Sequence, residues 1–92
     1  MDIEVYETFR QNLYLSLKEK IKGRIYVTYF PYNDTIYINI RNKEVDYKYT
    51  VHEVTNLLHI GNQMDSVVTD VLKTYKKVLQ NIFFIKEEKK YE

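Results

Sequence analysis

Arg24-Ile25-Tyr26-Val27-Thr28-Tyr29-Phe30, Thr35-Ile36-Tyr37-Ile38-Asn39-Ile40-Arg41 and Val45-Asp46-Tyr47-Lys48-Tyr49-Thr50-Val51-His52 follow one another closely. Only Pro31-Tyr32-Asn33-Asp34 and Asn42-Lys43-Glu44 stand between them. Each run is dense in β-branched and aromatic residues and alternates at period two, the pattern of a strand with one covered face. The breaks are rich in turn-forming residues and too short for a crossover, so consecutive strands must pair antiparallel, as a meander. Ile25, Val27 and Tyr29 share one face of the first strand, and Arg24, Tyr26, Thr28 and Phe30 the other. Ile36, Ile38 and Ile40 oppose Tyr37, Asn39 and Arg41 in the second. Val45, Tyr47, Tyr49 and Val51 oppose Asp46, Lys48, Thr50 and His52 in the third. The isoleucine-valine face is the covered one, because it is the more apolar in every strand.

What covers it is read from the flanks. Over residues 2–22, Tyr6, Phe9, Leu13, Leu17 and Ile21 recur at helical spacing, flanked by Ile3 and Tyr14. Asp2 is placed to cap this helix, Glu4 and Glu7 suit its first turns, and Lys18, Lys20 and Lys22 suit its last. Gly23 supplies a residue able to take positive φ and end it. From about Gln63, Met64, Val67, Val68, Val71, Leu72, Tyr75, Val78, Leu79 and Ile82 hold helical spacing for a second, longer helix. Asn62 or Asp65 is its cap, and Phe83-Phe84-Ile85 either continue it or fold over a core edge. Lys86 to Glu92 reads as a mixed-charge tail. Residues 53–62 contain Val54, Leu57, Leu58 and Ile60, too apolar for a free loop, so a helical turn or a packed connection is expected there. The expected fold is α+β: helix, three-stranded antiparallel meander, helix, in one domain of 92 residues, both helices on one face of the sheet.

The totals narrow the function. Fourteen Lys and Arg against thirteen Asp and Glu leave a net charge of +1, unlike a strongly electrostatic nucleic-acid binder or a highly acidic DNA mimic. There is no cysteine, hence no disulfide and no thiolate metal site. The start, Met1-Asp2-Ile3-Glu4, lacks the basic and apolar regions of a signal peptide, and no run approaches the ~18 apolar residues of a membrane span. A cytoplasmic protein with no membrane partner is expected.

No constellation carries chemistry. His52-Glu53 and His59 stand seven residues apart, whereas a zinc-binding helix spaces its histidines by four. Gly23 and Gly61 stand alone, so no phosphate loop forms. Ser16 and Ser66 lie on expected helices without the strained turn that exposes a nucleophile. Asp34, Glu44 and Asp46 sit at turns, where turn chemistry accounts for them. Neither enzyme, metal nor cofactor is expected. The outward aromatics Tyr26, Tyr37 and Phe30 interleave with Arg24, Arg41 and Lys48, and such a surface anchors a protein interface or stacks bases. Those six are the candidate partner-binding residues. Lys18 to Arg24 is the densest basic stretch, and compensation of the helix dipole explains most of it.

Two families share this order of elements. Double-stranded RNA-binding domains run helix, three strands, helix, but open the second helix with a Lys-rich motif. Here that position reads Asn62-Gln63-Met64-Asp65-Ser66. The chain also resembles, over about residues 2–85 and in element order alone, the small phage-encoded anti-CRISPR proteins of the type II-A inhibitor group. Acidic DNA mimicry, known in that group, does not fit the near-neutral charge. The resemblance implies a non-enzymatic phage or mobile-element protein that binds and inhibits a host defence complex, a host protein or a nucleoprotein. The alternatives are a nucleic-acid-binding regulatory module using the open sheet face, and a structural homodimer pairing those faces.

Overall fold

The computed structural model describes residues 3–61 and 63–90, with side chains through Ile82. The order is α1 (Ile3–Lys20), β1 (Arg24–Phe30), β2 (Thr35–Arg41), β3 (Asp46–Val51), α2 (Val54–Ile60) and α3 (Met64–Lys90). It is the expected α+β sequence of elements with one short helix inserted. The strands form an antiparallel meander in the order β1-β2-β3. Ile38 lies opposite Val27 on one side and Tyr49 on the other.

The α1 stripe works as its spacing requires: Tyr6, Phe9, Leu13 and Leu17 are all buried. The helix stops at Lys20, two residues short of the expected end. The Ile21 amide still donates to the Leu17 carbonyl at 2.9 Å while the Ile21 side chain enters the core. Gly23 then takes φ +134°, and a Cβ there would stand 2.9 Å from the Arg41 carbonyl oxygen. Both the angle and the close approach require glycine. The cap expected at Asp2 lies outside the described residues.

Leu13, Leu17, Ile36, Ile38, Ile40, Val54 and Val71 are the most deeply buried side chains. They belong to one cluster that joins the α1 stripe, the isoleucine-valine face and Val67, Val68 and Tyr75 of α3. The polar contacts that fasten the helices reach the same alternation of strand residues. Tyr6 stacks on Tyr29 with centroids 4.7 Å apart, and Arg10 Nη1 donates to the Val27 carbonyl at 3.2 Å. From α3, Thr74 and Asp70 hydrogen-bond the hydroxyls of Tyr47 and Tyr49.

Residues 53–62 contribute α2, which buries Val54 and leaves Ile60 exposed. Its cap position is occupied by Glu53 at φ 54°, which offers no side-chain cap bond. The cap comes from far away in sequence. Asp34, itself at φ 53° in the β1–β2 turn, accepts from the Thr55 amide at 3.1 Å and from Thr55 Oγ1 at 2.8 Å. Its carbonyl accepts from the Val54 amide at 3.2 Å. Asp34 therefore does more than shape a turn.

Helix α3 runs through Phe83-Phe84-Ile85 and on to Lys90, so the stretch expected as a tail from Lys86 is helical backbone that far. Lys and Glu are good helix formers and no Gly, Pro or Asn interrupts them. Asp65 lies inside the first turn, where it faces the dipole without capping it. The other expected cap, Asn62, and the tail's last two residues lie outside the described residues. The molecule has extents of 56 × 24 × 21 Å. Among the described residues no helix is long and apolar enough to cross a membrane.

Candidate functional site

The strand registers tile the outer face of the sheet. Across β1 and β2, Phe30 faces Thr35, Thr28 faces Tyr37, Tyr26 faces Asn39 and Arg24 faces Arg41. Across β2 and β3, Tyr37 faces Thr50, Asn39 faces Lys48 and Arg41 faces Asp46. Alternation thus gives this face an aromatic end and a cationic end.

At the aromatic end Tyr26, Phe30 and Tyr37 are 48%, 42% and 44% exposed, and Tyr32 of the β1–β2 turn is 99% exposed. Phe30 meets Tyr37 edge to face, centroids 5.1 Å apart at 85°. These four rings, with Thr28, Asn33 and Asn39, line an open groove of about 500 Å³. At the cationic end Arg41 Nε reaches Asp46 Oδ1 only at 4.0 Å, and that oxygen also accepts from Asn39 Nδ2 at 2.7 Å. Lys48 is exposed across from Asn39.

All six residues singled out from the sequence lie in this alternation. Tyr26, Phe30 and Tyr37 share the groove, Arg24 and Arg41 stand opposite one another, and Lys48 lies on the β3 side. Thr28, Tyr32, Asn33 and Asn39 complete the groove and were not among the six. An aromatic ring at the tip of a polar turn, with no inward face to serve, was the signal for Tyr32.

The inner tyrosines are engaged differently. Tyr29 donates to Asp34 at 3.1 Å, and its pKa is pushed up to about 12 by burial and by the bond and charge of that carboxylate. Tyr49 is likewise pushed up to about 12 by burial and Asp70. Burial also raises Tyr47. All three hold their protons more tightly than free tyrosine, which suits structural hydroxyls. His52 and His59 are exposed, and among the described residues no group of three His, Cys, Asp or Glu side chains could hold a metal.

A second groove, about 520 Å³, lies between α1, α2 and the start of α3, with Val5, Phe9, Leu58 and Met64 in its lining. It carries no cation and one carboxylate, Glu4. No protein-family model matches this chain, and neither a curated protein nor a solved structure matches it.

Proposed function

We propose that this is a binding protein, not an enzyme, and that it docks a macromolecular partner on the outer face of its sheet. The observation that carries the reading is the exposed aromatic groove of Tyr26, Phe30, Tyr32 and Tyr37, continuous with Arg24, Arg41 and Lys48. Aromatic and Arg side chains dominate the energy of interfaces, and a folded chain seldom leaves such rings exposed together without use. In its most concrete form the partner is a host nucleoprotein defence complex, and the protein is a phage or mobile-element inhibitor of it. Element order shared with the type II-A anti-CRISPR inhibitors supports that form. The net charge of +1 favours docking by rings and arginines over mimicry of DNA.

The test is phage plaquing on a bacterial strain whose type II-A CRISPR nuclease targets that phage. Expression of the wild-type chain should restore plaques. The double change Tyr26→Ala, Tyr37→Ala should abolish restoration and weaken binding to the purified guide-loaded nuclease by at least ~2 kcal/mol. Absence of plaques with folded wild-type protein would remove the anti-CRISPR form. Full protection by the folded double variant would remove the outer face.

A further inference from the structure

We infer that the corner where β1 begins and β2 ends is an anion site that takes the phosphodiester backbone of a single-stranded nucleic acid, whose bases lie along Tyr26 and Tyr37. The inference rests on the outer face being the docking surface, and it names the chemistry that this surface takes.

The first observation is a pairing that folding alone disfavours. Arg24 and Arg41 are direct cross-strand partners on the same face, and like charges directly opposite destabilise a sheet. The arrangement is built in by the backbone. Gly23 brings the chain so close to the Arg41 carbonyl that no side chain fits, which fixes Arg24 beside the end of β2. Compensation is slight. Arg41 has Asp46 at 4.0 Å, and Arg24 makes no ion pair or side-chain hydrogen bond among the described residues. Glu44 lies in the adjoining turn and Lys43 sits beside the arginines. Gly23, Arg24, Arg41, Asn42 and Lys43 line an open cleft of about 560 Å³. Two guanidinium forks and an ammonium around one cleft match the oxygens of a phosphate.

The second observation selects the kind of phosphate. Tyr26 is the next outward residue after Arg24 on β1, and Tyr37 lies two outward positions from Arg41 on β2. One outward step along a strand is about 7 Å, close to the spacing of nucleotides in an extended strand. Exposed rings beside a cationic track are how sheet surfaces hold single strands, bases stacked and backbone neutralised. A duplex would hide its bases from the rings, whereas a single strand can use the arginines and the ring array together.

Fluorescence anisotropy of labelled oligouridylate and oligothymidylate, titrated with the protein at several salt concentrations, tests this. Wild type should bind with affinity that falls as salt rises, with a log–log slope of about 2 for three cations at ~0.7 each. Arg24→Gln, Arg41→Gln should bind roughly tenfold or more weakly and reduce the log–log salt slope by about 1.4, two phosphates at ~0.7 each. Thermal melts of the variant, expected unchanged or higher once the like charges are gone, guard against a folding artefact. Tyr26→Ala should weaken binding and leave the salt slope unchanged. Failure of wild type to bind either oligonucleotide at low salt overturns the inference. So does undiminished binding by the double arginine variant, or equal binding of polyglutamate, which would mark an acidic protein as the partner. If oligonucleotide binding fails while Tyr26→Ala, Tyr37→Ala still abolishes plaque restoration, the docking face stands and only the phosphate site falls.

Discussion

Replacing Asp34 by Ala removes a carboxylate that ties three separated parts of the chain together. Its oxygens accept from the Tyr29 hydroxyl at 3.1 Å, the Thr55 amide at 3.1 Å and Thr55 Oγ1 at 2.8 Å. Thr55 Oγ1 also lies 2.9 Å from the hydroxyl of Tyr6, whose ring stacks on Tyr29. Loss of a helix cap costs about 1 kcal/mol. Loss of a tyrosine bond to a charged acceptor costs about 1.5 kcal/mol. Alanine at φ 53° adds about 1 kcal/mol of backbone strain that Asp tolerates better. The groups share one network and do not add fully, so about 3 kcal/mol is expected, a large part of what a domain of this size holds. Urea denaturation of the wild type and of Asp34→Ala, Asp34→Gly and Asp34→Asn separates the contributions. Gly should recover about 1 kcal/mol relative to Ala, because it removes the strain alone. Asn should cost least, since it keeps one acceptor oxygen and tolerates the left-handed region. A loss below about 1 kcal/mol for Asp34→Ala would refute the view that this turn caps α2.

Further outcomes follow from other sites. Ile38→Ala empties a fully buried position in the central strand, and denaturation should show a loss of roughly 2–5 kcal/mol. Gly23→Ala forces a Cβ to 2.9 Å from a backbone oxygen at φ +134°, so its melting temperature should fall, whereas Gly61→Ala meets strain but no neighbour and should fall less. Tyr29 and Tyr49 titrate near 12 folded against 10.0 for the free phenol. The folded chain therefore holds more protons between those values. Stability that is fully present below about pH 10 drains away as pH rises toward 12, and Tyr29→Phe and Tyr49→Phe should each flatten that decline in alkaline unfolding curves.

The strands were legible because each obeys a local rule. Ile36, Ile38 and Ile40 alternate with polar partners, and short turns leave only one way to pair them. Tyr26, Tyr37 and Arg41 could be placed on the outer face by counting alone. The α2 region was legible as a helical turn or packed connection, but its cap was not, because Asp34 supplies it 21 residues before Thr55 and no local pattern encodes a partner at that separation. Tyr32 was overlooked for a related reason. Periodicity sorts residues within strands and is silent about turns, so a ring on a turn is assigned to no face. Helix α3 runs past Ile85 to Lys90 on Lys and Glu alone, where no apolar stripe marks a helix in the sequence. A charged stretch needs no core to remain helical when every residue favours the helix.

The length of α3 bears on how the molecule behaves in solution. Its 27 residues span about 40 Å, whereas the two shorter extents of the molecule are 24 and 21 Å. The radius of gyration is 15.3 Å, against about 12 Å for a compact chain of this length. Such a prolate particle meets more friction than a sphere of its 11.2 kDa mass and elutes early from a sizing column. Early elution would therefore be expected of a single chain and would not by itself indicate two. Sedimentation equilibrium, which weighs particles without regard to shape, is the measurement that separates a monomer from a pair.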